Sequence, residues 1–533
     1  MEALKNKAKL IIILIVSFSW VLNAQDCLIH TKIEYNSKQK ITTTVKDNGG
    51  TSTTIVASPN PHINWEATQV GFGNIINNQF IVELEGGLSA AQKIVLRNKY
   101  KAVLIEKVEF PTLGVELELW SCDFSSIPGI SLETKKTTVA SDTDIEGVDF
   151  NYVTRPGLES IGLLGNSPAI LGDPSEIRIA LIDIGIDETH STLRDNISNQ
   201  IGYDFINQDI SPNDVSSVHG THMASNILQH CDYKSSLINI KAFENGSNKN
   251  SLFYVTSATY FAICHGAKVI NMSWGWTGSP AKCLEDAIAL AGSHNCALVV
   301  CSAGNESLNL DFDSHYPSDY NLDNVISVAA LGKTGSYAPY SNFGSDVDVA
   351  VVGEFMGALP KDKYGIMIGT SVSTASVSGV AGLLYVNTTK ASYLDIKNLI
   401  LSYSTPIPNC PYSTGCNIGL ELSPGNINSL LGISLPKTCE KNSANVVKRL
   451  NTSNKGHRFS YFNNTMEISF DMESDSNMEL IVTDVSGRVL HKKSDFLEIG
   501  NHQESISFDQ QPPGIYFMAL LINGERIVKK LIR

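Results

Sequence analysis

Short apolar runs alternate with helical patterns between residues 146 and 435. This alternation is typical of a mostly parallel β-sheet that is flanked by helices on both faces. Apolar runs predict six strands: Ile177–Ile182, Leu237–Ala242, Lys268–Ser273, Ala297–Ser302, Val325–Ala330 and Val347–Val352. Helical spacing of apolar residues predicts helices over Leu252–Cys264 and Ala281–Ser293. We therefore expect an α/β domain, with functional residues at the carboxyl ends of its strands.

A smaller α+β pattern precedes this domain. Its predicted elements are a strand, a helix and two further strands: Phe80–Leu84, Ser89–Tyr100, Val103–Val108 and Val115–Trp120. Ser89 and Gln92 have the spacing of a capping box. Residues 25–78 are rich in Thr, Asn and Ser, and they predict loops or an irregular extension. We expect a compact unit over about residues 79–122, within a candidate propeptide region that covers residues 25–145.

The last part of the chain has an all-β pattern. Polar residues 436–458 have the composition of a linker. Five strands are predicted beyond it: Met466–Phe470, Glu479–Thr483, Ser505–Phe508, Ile515–Leu520 and Arg526–Ile532. Turn signals such as Ser486-Gly487 and Asn523-Gly524 separate them. These features predict a β-sandwich-like domain over residues 459–533, with no catalytic constellation in it.

The amino terminus has the pattern of a signal peptide. Three basic residues, at positions 5, 7 and 9, precede the apolar run Leu10–Leu22, which is short for a membrane-spanning helix. We expect cleavage after Ala24, so that residues 1–24 are removed and no transmembrane segment remains. A retained membrane anchor is the alternative. Cys27 is not preceded by the small residues of a lipoprotein signal, which argues against a lipid anchor.

Charge and cysteine content narrow the possible partners. Acidic residues outnumber basic ones by 54 to 40, and no Lys/Arg-rich block stands out, so nucleic acid is not an expected partner. Ten cysteines in an exported chain favour disulfides, although their connectivity is open. Cys410 and Cys416 are close enough to close a small loop, and Cys301 lies in an apolar run typical of a buried thiol. A zinc site is disfavoured because no CxxC or HExxH segment is present.

Asp183 and His219 are the first candidates for chemistry. Asp183 directly follows the strand Ile177–Ile182, so its carboxylate should emerge at the carboxyl end of the sheet. An Asp in this position is also a common turn or helix-cap residue. His219 opens His219-Gly220-Thr221-His222 at the start of a helical stretch. Two histidines three residues apart resemble metal ligands, but no acidic residue or third histidine follows at helical spacing.

Ser371 and Asn305 complete this group. Ser371 lies in Gly369-Thr370-Ser371, at the start of a helix that is rich in small residues. A helix start supplies unpaired N–H groups and the positive end of a dipole, which suit an oxyanion. A helix that merely packs tightly is the alternative. Asn305 follows the strand Ala297–Ser302 and is either an oxyanion donor or a turn residue.

The chain resembles the subtilisin-like serine proteases over about residues 155–405. Four segments carry the resemblance, in the order of the family: Asp183-Ile184-Gly185, His219-Gly220-Thr221-His222, Ala303-Gly304-Asn305 and Gly369-Thr370-Ser371. The resemblance implies a subtilisin-like fold and peptide hydrolysis through an acyl-enzyme. It implies that Asp183 orients the base His219, that Ser371 is the nucleophile, and that Asn305 and the Ser371 backbone N–H bind the oxyanion.

The resemblance also implies how a peptide substrate binds. Ser273-Trp274-Gly275 looks like the edge segment that pairs with an extended substrate. Ala303-Gly304 looks like one wall of the primary specificity pocket. The far wall is expected near Asp311–Tyr316, where an acidic lining would favour basic residues. Three residues depart from the usual family pattern without removing a reacting group: Ile184, Ser225 and Ala375.

No cofactor is required for chemistry of this kind, and no metal ligand is assigned. The span from His219 to Lys241 is short and lacks the insertion that forms a calcium-binding loop in subtilisin. The sequence therefore does not support calcium at that site, while a structural calcium elsewhere stays open.

The flanking regions resemble known parts as well. Phe80–Trp120 looks like the inhibitory propeptide of the family, which occupies the active-site groove until it is cut. Val482–Leu490, Pro513–Tyr516 and Lys529–Arg533 resemble the sorting domain of type IX bacterial secretion. This resemblance implies export to the cell surface or medium, with the type IX machinery as a partner.

Two other functions are weighed against peptide hydrolysis. One is a secreted binding or adhesion protein that keeps the scaffold without turnover, against which the complete set of four residues argues. The other is a serine esterase on a different α/β scaffold, which would have a Gly-x-Ser-x-Gly segment and a histidine after the serine. Ser371 is flanked by Thr370 and Val372 instead, and His219 comes before it.

Overall fold

A computed structural model provides the structure of the 533-residue chain. It describes residues 27–35, 39–57, 67–70, 73–122, 132–152, 154–156, 160–163, 177–231, 235–244, 250–388, 391–402, 404, 407, 458–462, 465–472, 476–484, 489–497, 500–507, 515–522 and 525–532. The chain divides into two compact units, Met1–Cys439 and Glu440–Arg533. The predicted signal peptide, the Cys410–Cys416 loop and linker residues 436–457 lie outside the described residues.

The N-terminal part of the first unit is an antiparallel sheet with two helices. Its strands are β1 (Ile29–Tyr35), β2 (Gln39–Lys46), β3 (Thr51–Ala57), β4 (Ala67–Val70), β5 (Gly73–Leu84), β6 (Ala102–Phe110), β7 (Val115–Cys122) and β8 (Ile145–Tyr152). Its helices are α1 (Ala90–Lys99) and α2 (Leu132–Ala140). The strand order is β3-β2-β1-β6-β7-β5-β4, and β8 pairs with β5. The predicted capping box of α1 is confirmed, with Ser89 and Gln92 bonded reciprocally.

The prediction of loops over residues 25–78 is wrong. This stretch contains β1 to β4 and the start of β5. In β2 only Val45 is buried, so the alternation that reports a strand is hidden in a run of polar residues. Threonine fits a half-exposed pleated surface well, which is why Thr42–Thr44 lie in a strand. Because β8 pairs with β5, the N-terminal sheet also continues past residue 145, where the sequence divides the two domains.

The second part of this unit contains a seven-stranded parallel sheet. Its strands, with those of two small sheets, are β9 (Arg155–Pro156), β10 (Ser160–Leu163), β11 (Ile177–Asp183), β12 (Ile197–Asp204), β13 (Ser235–Lys241), β14 (Val269–Met272), β15 (Trp274–Thr277), β16 (Leu298–Ser302), β17 (His315–Tyr316), β18 (Val325–Leu331), β19 (Val349–Val352), β20 (Glu354–Leu359) and β21 (Lys363–Ile368). Its helices are α3 (Val218–His230), α4 (Leu252–Cys264), α5 (Lys282–Asn295), α6 (Thr370–Asn387) and α7 (Tyr393–Ser402). None of the helices in the described part of the chain is both long and apolar enough to cross a membrane.

The parallel sheet confirms the predicted α/β architecture. Its order is β12-β13-β11-β14-β16-β18-β19. All six predicted strands and both predicted helices are present, while the edge strand β12 was not predicted. Two small sheets, β10-β21-β20 and β17-β15-β9, flank it. Cys301 lies on β16 as a fully buried free thiol, which confirms that prediction.

The second unit contains two antiparallel sheets. Its strands are β22 (Arg458–Phe462), β23 (Thr465–Met472), β24 (Ser476–Asp484), β25 (Val489–Leu497), β26 (Gly500–Ser507), β27 (Ile515–Ile522) and β28 (Glu525–Ile532). One sheet has the order β22-β23-β26 and the other β25-β24-β27-β28. The five predicted strands are confirmed, and β22 and β25 were missed. β25 is a charged edge strand in which Leu497 alone is buried, so its sequence carries a weak apolar signal.

The N-terminal sheet and the parallel sheet of the first unit share one core. Helix α4 is buried at every position from Leu252 to Ile263, because the parallel sheet packs on one side and the N-terminal sheet on the other. The rings of Phe110 and Tyr260 lie 5.5 Å apart across this interface. A disulfide between Cys27 and Cys264, with Cα atoms 6.1 Å apart, joins the N-terminal sheet to α4 covalently.

Helices α3 and α6 approach each other closely at Gly379. A Cβ atom at this position would lie 2.4 Å from the Ile227 carbonyl oxygen and 2.7 Å from His230 Cβ. The Asn226 amide donates to the Val372 carbonyl at 2.7 Å and fixes the same pair of helices. Glycine is therefore needed at residue 379 for packing.

We expect Gly379→Ala to lower the free energy of unfolding by about 1–3 kcal/mol, as overpacking does. Helix propensity alone predicts the opposite, a gain of about 1 kcal/mol. Thermal unfolding of the full chain measures the sign. Gly332→Ala is the control, since its Cβ would meet nothing closer than 3.7 Å. A Gly379→Ala variant more stable than the wild type would contradict the tight contact.

Candidate active site

The candidate residues come together at the carboxyl edge of the parallel sheet. Asp183 is the last residue of β11, and Ser273 directly follows β14. Asn305 follows β16 after two residues. His219 and Ser371 lie in the first turns of α3 and α6, whose starts face this edge. Five positions far apart in sequence thus meet at one end of the sheet, as parallel strands require.

Asp183 and His219 form a buried pair. His219 Nδ1 lies 2.7 Å from Asp183 Oδ1 and 2.8 Å from Oδ2. The Ile184 backbone N–H also donates to Oδ1, at 2.7 Å. Asp183 is 1% exposed and His219 is 6% exposed. Because a carboxylate only accepts hydrogen bonds, the contact holds the proton on Nδ1 and leaves Nε2 as the basic nitrogen.

Close backbone packing holds His219 in place. A Cβ atom on Gly220 would lie 2.0 Å from the Gly185 carbonyl oxygen, so the residue after His219 must be glycine. The Ser217 hydroxyl donates to the same carbonyl at 2.7 Å. The Asp187 backbone N–H donates to Thr221 Oγ1 at 2.9 Å. The loop after Asp183 and the start of α3 are therefore fixed against each other.

Ser371 is anchored to the strand edge beside it. Its hydroxyl donates to the Ser273 carbonyl at 3.1 Å, and the Ser273 hydroxyl donates to the Ser371 carbonyl at 3.0 Å. The Asn271 amide donates to Ser273 Oγ at 3.0 Å, and the Ser378 hydroxyl donates to Asn271 Oδ1 at 2.9 Å. Ser371 is fully buried. These bonds connect β14 to α6 at two levels of the helix.

Asn305 presents its amide to the start of α6. Its Oδ1 accepts hydrogen bonds from the Thr370 backbone N–H and from Thr370 Oγ1, both at 2.9 Å. A backbone N–H can only donate, so these bonds fix the orientation of the amide and leave Nδ2 as a donor. The Ser371 N–H is the second of the helix and has no intrahelical acceptor by geometry. Two donors are thus available beside the serine, at the positive end of α6.

The predicted substrate segment enters a short strand that has a neighbour on each side. Trp274 and Gly275 lie in β15, which pairs on one side with β17. On the other side β15 pairs antiparallel with β9, with Gly275 opposite Arg155 and Trp274 opposite Pro156. Extended backbone therefore lies along the edge where the sequence predicts peptide binding. Ala303 is fully buried, and Gly304 has a positive φ of 103°, which favours glycine.

His222 is part of the scaffold. Its Nε2 donates to the carbonyls of Phe355 at 3.1 Å and Gly365 at 3.3 Å. Burial lowers the pKa of His222 to about 4, so the ring is neutral near pH 7. His219 and His222 are thus engaged by different partners. The sequence motif alone did not separate their roles.

One cluster in the described part of the chain has metal-ligand geometry: Cys27, Asp47 and His265. Its cysteine sulfur is bonded to Cys264 and is not a thiolate. Thiolate is the form in which cysteine binds metals. The cluster is therefore assigned to the disulfide region of the N-terminal interface.

The sequence analysis did not single out His315. It lies in β17, within the stretch Asp311–Tyr316 expected to form the far wall of the specificity pocket, and it is 4% exposed. Its ring contacts both Gly275 and Gly304. Nothing in the sequence distinguishes a histidine in this place from an ordinary turn residue, because the contacts bridge segments far apart in the chain.

Comparison with known proteins agrees with this geometry. The sequence model of the subtilase family matches residues 175–460, more than half of the chain. The chain belongs to the subtilase family. Thermitase from Thermoactinomyces vulgaris is 30% identical over 224 residues, which cover 40% of this chain and 76% of thermitase. A thermophilic serine proteinase from Bacillus sp. strain AK1 is 32% identical over 217 residues, 39% of this chain and 51% of that protein.

A second family model, that of a secretion system C-terminal sorting domain, matches residues 462–533 of this subtilase. The resemblances to the subtilisin-like proteases and to the type IX sorting domain are thereby confirmed. The crystal structure of fervidolysin from Fervidobacterium pennivorans, a keratinolytic enzyme related to subtilisin, has a TM-score of 0.54 at 15% identity. It covers 87% of this chain and 91% of fervidolysin, and it supports the fold.

We expect Asn305→Ala to lower kcat on a peptide substrate by about 100- to 1000-fold with little change in KM, because the lost donor acts on the transition state. Thr370→Val is the matched control. It removes one bond to Asn305 Oδ1 and keeps the backbone N–H that orients the amide, so its loss should stay below about tenfold. Steady-state kinetics of both variants check this. A change in KM alone for Asn305→Ala would contradict the role of Asn305.

Proposed function

We propose that this secreted subtilase is a serine endopeptidase whose triad is Asp183, His219 and Ser371. The observation that carries the proposal is the buried Asp183–His219 pair, held at the same sheet edge as a serine in the first turn of a helix. A buried carboxylate that fixes the tautomer of a histidine is the arrangement that makes the other ring nitrogen a general base. The family membership supports the same chemistry.

The mechanism uses groups of this chain alone. Ser371 Oγ attacks the carbonyl carbon of the substrate while His219 Nε2 takes the hydroxyl proton. Asn305 Nδ2 and the Ser371 N–H donate to the oxyanion of the tetrahedral intermediate. The imidazolium, stabilised by ionised Asp183, then gives its proton to the departing amine. Water releases the acyl group by the same steps in reverse, with His219 again as base.

This mechanism needs no cofactor. The nucleophile, base, orienting carboxylate and oxyanion donors are all side chains or backbone groups of the chain. We expect activity to persist in the presence of a chelator, apart from any loss of stability if a structural calcium is bound.

We further propose that the N-terminal sheet, with helices α1 and α2, is an inhibitory propeptide. Strand β9 follows β8 of this sheet in the chain. It supports the proposal because it pairs with β15, the strand that would otherwise bind a substrate backbone. Asp149 also supports it, because its carboxylate accepts a hydrogen bond of 2.5 Å from the first turn of α5, at Cys283 N. An inhibitor held this way competes directly with substrate.

The sorting domain at residues 462–533 directs this subtilase to type IX secretion. Export places the ten cysteines in an oxidising compartment, in keeping with the Cys27–Cys264 disulfide. We propose that the type IX machinery binds this domain and that peptides or proteins outside the cell are the substrates.

We expect Ser371→Ala to abolish fluorophosphonate labelling of the processed enzyme and to lower turnover of casein by about a million-fold, since the nucleophile is removed. Ser373→Ala is the matched control. This serine lies on the same helix and donates to the Val351 carbonyl at 2.9 Å, so its loss should leave labelling intact. Equal labelling of wild type and Ser371→Ala would overturn the assignment. A folded, processed wild type with neither labelling nor digestion would favour a binding protein, and digestion of simple esters alone would favour an esterase.

We expect the N-terminal fragment to stay attached to the catalytic fragment after the chain is cut between them, because Cys27 is bonded to Cys264. Electrophoresis of the freshly processed protein should give one band without reductant and two bands with it. Cys264→Ser should give two bands in both lanes. Cys122→Ser, which replaces a cysteine outside this disulfide, should behave as the wild type. Two bands for the wild type without reductant would contradict the linkage.

A further inference from the structure

The imidazole of His315 fills the space between Gly275, on the predicted substrate edge, and Gly304, on the predicted pocket wall. A Cβ atom on Gly275 would lie 2.2 Å from His315 Cε1 and 2.6 Å from Nε2. A Cβ atom on Gly304 would lie 3.0 Å from His315 Cδ2. The ring thus touches both β15, which is the predicted substrate edge, and Gly304, which belongs to one predicted wall of the specificity pocket. A substrate side chain that entered this space would have to share it with the ring.

His315 is held firmly in this position. Its strand β17 pairs with β15, with His315 opposite Thr277. Its backbone N–H donates to Asp319 Oδ2 at 2.9 Å. The Ser318 hydroxyl donates to the His315 carbonyl at 2.7 Å and lies 3.1 Å from Nδ1, which therefore donates its proton to that hydroxyl. The ring would have to break these contacts to leave the pocket.

A carboxylate narrows the same space from another side. Glu306 Oε2 would lie 2.5 Å from a Cβ atom on Gly304, and it accepts a hydrogen bond of 2.8 Å from Asn342 Nδ2. Burial lowers the pKa of His315, so the ring is neutral near pH 7 and offers no positive charge to an acidic side chain. The ring and the carboxylate together leave little room for a side chain beside Gly304.

The register of β9 indicates which substrate residue meets this pocket. Arg155 lies opposite Gly275 and Pro156 opposite Trp274. A substrate that continues this register places its next residue opposite Ser273, whose carbonyl is 3.1 Å from Ser371 Oγ. That residue, here called P1, carries the carbonyl under attack. Its side chain is the one that would enter the space between Gly275 and Gly304.

Resting on the proposed function, we infer that His315 closes the primary pocket and restricts P1 to glycine and alanine. The sequence of the chain offers such a substrate directly after β9. The residue after Pro156 is Gly157, followed by Leu158. A glycine has no side chain to compete with the imidazole, so the bond between Gly157 and Leu158 is the expected site of self-processing.

Quenched fluorescent peptides test the restriction directly. The peptides share the sequence Thr-Arg-Pro-X-Leu, in which X is Gly, Ala, Phe, Lys or Glu. The value of kcat/KM for each peptide is measured with the enzyme that results from processing of the full chain. The Gly and Ala peptides should be cleaved at least about tenfold better than the Phe peptide, which is the scale on which pockets discriminate by size. In His315→Gly the kcat/KM for Phe should rise about 10- to 200-fold relative to Ala.

Phe312→Ala is the matched control, since it truncates an exposed side chain just before β17 and keeps both the imidazole and the Ser318 contacts that hold it, so the preference for small residues should stay. If His315→Gly does not fold, His315→Ala serves instead, and the wild-type series stands without either variant. A wild type that cleaves the Phe peptide as well as the Ala peptide would overturn the inference. So would a preference for Lys, which would assign selection to the Glu306 charge, or for Glu, which would assign it to a charged His315.

Mass spectrometry of the mature amino terminus gives an independent result, expected to start at Leu158. A start that leaves a large residue at P1 would contradict the inference.

Fluorophosphonate labelling distinguishes a failure of the role of His315 from a failure of the proposed function. Labelling with the wrong P1 preference overturns the role of His315 alone, whereas absence of labelling in the folded, processed protein overturns the proposed function.

Discussion

The contact between Asp183 and His219 is the constraint on which the catalytic part depends. It requires an imidazole from a helix to reach a carboxylate at a strand end, with water excluded from both. That reach is possible because Gly220 lets the start of α3 come to the Gly185 carbonyl. Helix α3 is then fixed against α6, where Gly379 permits an equally close approach and Ser371 lies in the first turn. Two glycines thus position His219 and Ser371 through backbone packing.

Sequence predicted this region well because its signals are local. Parallel strands that are buried on both faces give continuous apolar runs, and candidate residues lie at their carboxyl ends, as Asp183 ends β11. The strands that were missed lack this signal: β2 buries Val45 alone, and β25 is a charged edge. The place of His315 was also missed, because it depends on contacts with Gly275 and Gly304, which are distant from it in sequence.

The burial of α4 on all sides explains why two sheets form one unit. A helix covered by one sheet alone would keep a polar face, but α4 is apolar throughout because the N-terminal sheet covers its outer side. Removal of that sheet would take Phe110 and Glu83 away from Tyr260 and leave this buried ring uncovered, which is unfavourable. The interface and the Cys27–Cys264 disulfide therefore favour continued association after the chain is cut. If the N-terminal sheet is the proposed inhibitor, its relief depends on β9 leaving β15 and does not require the whole sheet to dissociate.

Strand β15 joins recognition and selection because its two edges do different things. One edge offers backbone groups that pair with an extended chain, and backbone pairing of this kind does not depend on the side chains of the peptide. The other edge is paired with β17 and so brings His315 against Gly275. Since backbone pairing supplies affinity for all sequences alike, discrimination must come from what fills the pocket beside it. A single imidazole at that point converts a general peptide-binding edge into one that accepts small residues next to the bond that is broken.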